Sequence, residues 1–455
     1  MKHLLLKILQ LILKQLAKLT IWRFQPRVIA ITGSVGKTSA KEAIYAVLSA
    51  SGGKNHRRVR KSEGNLNNEL GVPLAIIGEW KEEELKLVSR DTPSGKKKIR
   101  KLLFWLKVIF YGLAQSLFLK KSVYPEILIL EYAADRPGDI KELLEIAKPY
   151  IGIITAIGEI PVHIEFFSGP EAIVREKARV VENLSANGFA VLNFDNEAII
   201  NMKERTRAKI ITFGFNEGAD VKISGFDYAQ TNANSQRESA LSPRESAWRE
   251  APMGVSFKIE YAGSFVPVVL KNVFGKAQAY AAAVAACVGL IFDLNLVEIS
   301  EALSINYRPA KGRMNLLKGI KDTYIINDAY NASPISMEEA LTTLGDLSAE
   351  RKIAVLGDML ELGKYSVEAH ESIGRLAGKI VDVLITVGPR AKFIAESAEA
   401  VGLDKNKILS FDTTTEACRA VQDLIKKGDL ILIKASRAIG LEEIVEEIKE
   451  IAAFV

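Results

Sequence analysis

Apolar and polar positions follow two rhythms along this chain. Short apolar runs that stop at polar or small residues alternate with longer stretches whose apolar residues recur three and four apart. The runs Val28–Thr32, Ile127–Glu131, Ile151–Ala156 and Phe189–Asn193 predict buried strands with helices between them, the rhythm of a mostly parallel sheet covered by helices. Val221–Tyr228, Val255–Tyr261 and Phe265–Leu270 alternate more like antiparallel strands. A second α/β series begins near residue 311, with strands predicted at Tyr324–Asn327, Ile353–Leu356, Val383–Val387 and Leu430–Lys434. The predicted fold class is α/β: a central domain over 28–310 with a small antiparallel part, then a Rossmann-like α/β domain over 311–455. The polar stretch TNANSQRESALSPRESAWREAP has no periodic apolar face and predicts a mobile loop at about 229–252.

Two segments fit neither rhythm. Residues 1–27 open with a largely apolar helix whose polar residues at 3, 7, 10, 14 and 18 form a narrow stripe carrying Lys7, Lys14 and Lys18. It reads either as a helix docked on the body or as a basic interfacial membrane helix. No small-residue cleavage site follows it, which argues against a cleaved signal peptide. An insertion at about 81–123 contains KKKIRKLLFWLKVIFYGLAQSLFLKK, residues 96–121, whose apolar part is nearly long enough to span a bilayer. It separates two strands of one predicted sheet, so a crossing would put them on opposite sides. The readings that remain are a helix buried against the sheet and a helix lying in a membrane interface.

Charge sharpens the second reading. Residues 1–121 hold 24 Lys+Arg against 8 Asp+Glu, a net +16, whereas the rest of the chain holds 37 against 47. The basic end suits an anionic membrane surface or a phosphorylated substrate, and no nucleic-acid module is recognisable. Two cysteines far apart, Cys287 and Cys418, exclude a disulfide framework and a thiolate zinc site, and fit a reducing, cytoplasmic setting. The 48% hydrophobic fraction and 455 residues suit two or three domains with ordinary cores.

The clearest chemistry lies at VIAITGSVGKTS. Gly33 and Gly36 let the backbone N–H groups of Gly33, Ser34, Val35, Gly36, Lys37, Thr38 and Ser39 converge on phosphate oxygens, and the helix that follows points its positive end at them. Lys37 supplies a charge for the β- and γ-phosphates, and Thr38 a hydroxyl for Mg²⁺. Only two residues separate Gly33 from Gly36-Lys37, against four in the usual Walker pattern. Glu131 ends a strand predicted beside this one, where a carboxylate can bind Mg²⁺.

The short form resembles the Mur ligases, ATP-dependent enzymes that add amino acids to peptidoglycan precursors. GNLNNELGVPLAI (64–76), LEYAADRPGDI (130–140), DAYNASPISMEEAL (328–341), VLGDMLELG (355–363) and KASRAIGLEEIV (434–445) resemble the branch that adds D-alanyl-D-alanine. The likeness extends over roughly residues 28–455. It implies ATP and Mg²⁺ as cofactors, and a peptidoglycan-type peptide with an amino acid or dipeptide as partners. A carboxylate is activated as an acyl phosphate and then attacked by an amine. By resemblance His163 helps hold a second Mg²⁺, as does Lys177 if carbamylated, although Lys177's spacing alone reads as a solvated helix face. Arg313 reaches the γ-phosphate from the C-terminal domain, and Asp328, Tyr330, Asn331 and Pro334 lie by the nucleotide. Asn65, Asn67 and Asn68 are candidates for the acceptor, while Lys434, Ser436 and Arg437 are candidates for the incoming carboxylate.

Two departures qualify the resemblance. Where the family usually carries a His and an adenine-contacting Asn, GKAQAYAAAVAA (275–286) carries Ala277 and Ala281, with Gln278 as a candidate substitute. A uridine-nucleotide domain ahead of the P-loop is expected to be lacking, so that something else holds the acceptor. Three readings follow: a ligase of cell-wall peptides, a Mur-type ligase with a non-muropeptide or lipid-linked acceptor, and a membrane-attached nucleotide-binding module without ligase activity. Peripheral contact with the inner face of the membrane is expected for the basic-apolar segments.

Overall fold

In the computed structural model, which describes residues 2–50, 57–64, 66–88, 98–230 and 252–450, two sheets carry the architecture. The first elements are α1 (Lys2–Phe24), β1 (Arg27–Thr32), α2 (Lys37–Ser49), β2 (Val59–Lys61), α3 (Gly71–Ile77), α4 (Glu82–Val88), α5 (Lys98–Phe118) and β3 (Ile127–Glu131). They are followed by α6 (Asp139–Ile146), β4 (Ile151–Ile154), α7 (Pro170–Glu182), β5 (Phe189–Asn193), β6 (Lys209–Gly214), β7 (Val221–Gln230), β8 (Pro252–Tyr261) and β9 (Ser264–Lys271). These nine strands form one sheet in the order β2-β3-β1-β4-β5-β6-β7-β8-β9. It is parallel through β7 and antiparallel from β7 to β9. The predicted loop falls on residues 231–251, outside the described residues, and the flanking strands run to Gln230 and from Pro252.

Alternation along β1 and β3 sends side chains to two cores. Ile29, Ile31, Ile127 and Ile129 meet α2 and the helix Lys276–Ile291, which is apolar nearly all round and buried accordingly. Val28, Ala30, Leu128 and Leu130 face the opposite way, onto α3 and α6. All seven residues of α3 are buried because α1 and α5 lie over it as a further layer. Leu13, Leu16, Leu74, Ile77, Trp80, Phe104, Trp105 and Val108 fill the space between. Gly112 lets α5 approach, since a Cβ there would sit 3.3 Å from Ile77 and 3.4 Å from Leu16.

The second sheet contains β10 (Asn315–Gly319), β11 (Thr323–Asn327), β12 (Arg351–Gly357), β13 (Val383–Val387), β14 (Ile408–Phe411) and β15 (Asp429–Lys434). Its order is β10-β11-β15-β12-β13-β14, with β10 alone antiparallel to its neighbour. The two sheets meet near the carboxyl ends of β1, β3 and β4. There Gly158 approaches Ile335, and Gly363 approaches Glu165.

Candidate active site

In the first sheet β1 lies between β3 and β4, so the chain order reverses there and opens a crevice beyond the strand ends. The bend at 33–38 fills this crevice. Gly33 (φ 147°) and Gly36 (φ 87°) take backbone conformations that a side chain disfavours. A Cβ on Gly33 would fall 2.1 Å from Thr155 Oγ1. The Ser34 N–H donates to Ala156 O at 2.6 Å, which pins the loop to β4's continuation. Helix α2 starts from Gly36 with no side-chain cap, so its first-turn N–H groups open onto the loop. Ser34 Oγ is buried with no hydrogen-bond partner. These features fit a polyphosphate.

Two amines converge on one carbonyl. Lys37 Nζ donates to Gly33 O at 2.6 Å, and Lys177 Nζ, from α7, donates to the same oxygen at 3.2 Å. Burial pulls the Lys37 ammonium down; Glu131 and Asp135 oppose this, whereas Arg313 adds to it. Lys177 is pushed down to about 7, first by burial and then by the neighbouring charge of Lys37. The solvated helix face read from its spacing is therefore corrected: Lys177 sits on the buried side of α7 with Ile173, Val180 and Val181.

Glu131 ends β3 next to the bend, opposite Ile31 of β1. Lys41 holds one of its oxygens at 2.9 Å, and Thr38 Oγ1 lies 3.4 Å from the other. Burial pulls Lys41 down, but the carboxylates of Glu131 and Glu42 outweigh it and raise the ammonium overall. The ion pair gives the buried Glu131 carboxyl a counter-charge in the interior. Thr38 and Glu131 are hard oxygen donors close enough together to share one Mg²⁺.

His163 takes a left-handed conformation (φ 70°) that aims its ring between the lobes. Nε2 is 3.3 Å from Asp135 Oδ1, and Nδ1 is 2.5 Å from Glu361 Oε2. Asp135 and Glu361 were absent from the sequence-derived candidates, although they lie inside LEYAADRPGDI and VLGDMLELG. Among the described residues no group of three or more His, Cys, Asp or Glu side chains is arranged to hold a metal. As a bare amine Lys177 offers Mg²⁺ no ligand; only carbamylation would supply oxygens.

From the second lobe, Arg313 stacks 4.3 Å from the Tyr330 ring centre, and Arg437 lies 5.2 Å from it while donating to Tyr330 Oη at 3.0 Å. Gln278 steadies the Arg313 segment, its amide lying 3.4 Å from the Arg313 carbonyl. It also accepts from Tyr307 Oη at 2.6 Å and is buried. Gln278 is thus engaged by Tyr307 and by the Arg313 segment. Ala281 is buried and Ala277 half-buried. Ser39 hydrogen-bonds with the Tyr307 hydroxyl.

Other candidates turn inward. Lys434 is buried; its Nζ bonds Asp328 Oδ2 at 2.6 Å and Asn331 O at 2.8 Å. Asp328 also accepts from Met314 N at 3.1 Å. This pair braces the 328–334 loop against β15. Ser436 is likewise buried, accepting from Leu360 N at 2.9 Å. Pro334 opens the helix Pro334–Asp346 behind a Ser333 capping box, a local structural role. Asn68 Oδ1 accepts from Gly71 N at 2.9 Å and Leu70 N at 3.2 Å, so this amide shapes the turn into α3. The Asn67 carbonyl receives Ala133 N at 2.9 Å. Asn65 lies outside the described residues. A cavity of about 670 Å³ lined by Arg57, Arg60, Trp80 and Tyr111 lies at the other edge of the sheet, where α2 ends and β2 begins, away from these groups.

Comparison with known proteins agrees with this layout. The model of the Mur ligase middle domain matches residues 31–88 and 110–288. That of the Mur ligase glutamate ligase domain matches 312–437. The UDP-N-acetylmuramoyl-tripeptide–D-alanyl-D-alanine ligase of Bacillus subtilis is 29% identical over 442 residues, covering 96% of this chain and 79% of that protein. The MurF ligase of Thermotoga maritima, solved in complex with ADP, superposes with a TM-score of 0.71 at 26% identity, covering 96% of this chain and 82% of that one. MurF from Acinetobacter baumannii has the same fold, with a TM-score of 0.72 at 24% identity and coverage of 96% and 80%.

Proposed function

This chain belongs to the Mur ligase family, and from that premise we propose that it is an ATP-dependent, ADP-forming amide ligase of the D-alanyl-D-alanine-adding type. Its acceptor is a peptidoglycan-type peptide precursor, and it works on the cytoplasmic side of the membrane. The acceptor's carboxylate attacks the γ-phosphorus of ATP, giving an acyl phosphate and ADP. The amine of the dipeptide then attacks the carbonyl carbon and expels phosphate. Both steps gather negative charge on oxygen, so positioned cations and N–H dipoles carry the catalysis.

The observation that carries this reading is the meeting of Lys37 and Lys177 at Gly33 O, with Glu131 held by Lys41 at the neighbouring strand end. Lys37 and the first turn of α2 bind the β- and γ-phosphates. Thr38 and Glu131 would hold Mg²⁺, which supplies charge neutralisation on the phosphates. Arg313, oriented by Tyr330, faces the transferred phosphoryl group from the second lobe, which makes turnover depend on the lobes closing. Asp328, Asn331 and Pro334 form the loop beside the nucleotide. Lys177, pushed down to about 7 by burial and by Lys37, would have free amine at neutral pH to take up CO₂, and the resulting carbamate would supply oxygens that, with His163, could hold a second Mg²⁺. Asn67 lies by the acceptor, and Arg437 is placed for the dipeptide's carboxylate.

The test is phosphate release from ATP with UDP-N-acetylmuramoyl-tripeptide and D-Ala-D-Ala, followed by mass spectrometry of the product. The expected result is release only when both substrates are present, with a product heavier by the dipeptide less water. Acceptor-independent hydrolysis with no new product would overturn the assignment.

A further inference from the structure

The outer layer inverts the usual distribution of side chains. On α5 the inward face carries Gly112, Gln115 and Ser116 beside Phe104, Trp105 and Val108. Gln115 spends its amide on Ile77 O at 2.7 Å, and Ser116 bonds Gly112 O at 2.8 Å. The outward face carries Leu102, Leu106, Phe110, Leu113 and Leu117, one or two turns apart, with Phe110 76% exposed. Neighbouring α1, which shares α5's support on α3, turns out Leu4, Ile8, Leu11, Leu19 and Trp22, the last 72% exposed. Two adjacent helices therefore present one apolar surface larger than scattered surface hydrophobes explain.

We propose that the outward face of α1 and α5 is a docking surface for an anionic phospholipid bilayer, with both helices lying in the plane of the membrane interface. Charge selects this occupant. Lys7, Arg23, Arg100, Lys101, Lys120 and Lys121 are exposed around the apolar strip, and cations framing an apolar face suit acidic headgroups over acyl chains. A crossing is excluded by the sheet. The window Ile99–Phe118 has a mean hydropathy of 1.3 and sufficient length, yet β2 before it and β3 after it pair directly, Val59 opposite Ile127. Docking also sets the orientation of the enzyme. Gln10 of α1 donates to Glu69 at 3.2 Å, so the membrane-facing layer adjoins the 66–70 loop at the catalytic end of the sheet.

The experiment is co-sedimentation of the full chain with vesicles of phosphatidylcholine alone and of a phosphatidylcholine–phosphatidylglycerol mixture. Binding to the mixed vesicles, weakened by salt and poor on the neutral ones, is expected. Leu106→Glu with Phe110→Glu lowers partitioning by about 100-fold, since two apolar side chains no longer enter the interface. Arg100→Gln and Lys101→Gln each lower it by about fivefold. Thermal unfolding and binding of an ATP analogue, unchanged in all variants, show that the fold is intact. Equal partitioning of all variants, or no binding to either vesicle, overturns the proposal. So does a dimer in vesicle-free sedimentation that Phe110→Glu dissociates, because the face then belongs to a second copy. None of these readouts needs turnover, so they stand apart from the ligase assignment.

Discussion

The bend at 33–38 and the α1–α5 layer depart from ordinary burial in opposite directions. At the bend, Lys41, Glu131 and Lys177 are nearly excluded from water. In the outer layer, Leu102, Leu106, Phe110 and Leu117 are open to it. Burying an ion costs several kcal/mol unless a partner offsets it. Lys41 and Glu131 offset each other, whereas Lys177 shares a carbonyl oxygen with Lys37, and burial outweighs the pull of Asp135 and Glu176 to drive it towards its neutral form. Exposed apolar surface forgoes about 25 cal/mol per Å². A polyanion relieves the first arrangement and an acyl-chain boundary the second, so each departure names the chemistry that would meet it.

The comparison breaks most severely if the cations around the bend prove idle. Arg313→Ala is expected to lower turnover by about 10³-fold or more, the scale on which a guanidinium stabilises transferring phosphoryl charge. Steady-state kinetics check this; ATP-analogue binding and stability should change little. Next, Lys41→Met leaves Glu131 buried without its counter-charge and is expected to cost about 3–5 kcal/mol of stability. Urea unfolding measures it. A loss under 1 kcal/mol would mean that Glu131 has another partner or is neutral.

Lys177 sharpens the same side of the comparison. Lys177→Ala is expected to lower turnover by about 10²-fold, and in the unaltered enzyme the rate should rise as pH passes about 7, where the free amine appears. The sign for stability follows from the depressed value. Between about 7 and the ordinary lysine range the unfolded chain holds a proton that the folded one has lost, so stability rises with pH across that window. Lys177→Ala should flatten this slope. A rate profile unaffected by added bicarbonate would separate a plain amine from a carbamate.

Sequence patterning carried much of this picture, and its failures have physical causes. Strands buried on both faces were legible as apolar runs: β1, β3, β4, β13 and β15. β2, β10 and β14 are edge strands with half-buried residues, so no apolar run marks them. The phosphate bend was legible because glycine and lysine spacing is itself the geometry. Lys177 was legible only through resemblance, since one buried lysine does not disturb a helical pattern. The inward turn of Lys434 was hidden because its partner, Asp328, follows a strand end 106 residues earlier, and spacing cannot report such a pair. For α1 and α5 the chain left two readings open, docked or interfacial; the inner faces are docked on α3 while the outer faces remain apolar.

The smallest expected effect is the most discriminating for the outer layer. Phe110→Ser removes a large apolar side chain from a surface position, so the folded and unfolded chains lose nearly the same exposed area. Stability should therefore change by no more than about 0.5 kcal/mol. Phe104→Ser, one face round the same helix, removes a ring that is 4% exposed and stacked edge-on with Trp80 at 5.5 Å, and should cost about 3–5 kcal/mol. Paired urea titrations measure both. If Phe110→Ser costs as much as Phe104→Ser, the outer face is already covered in the free protein, and its apolar surface is a core element of an assembly. If the costs differ as expected, Phe110 adds nothing to folding, and its place on that face answers to what the surface meets.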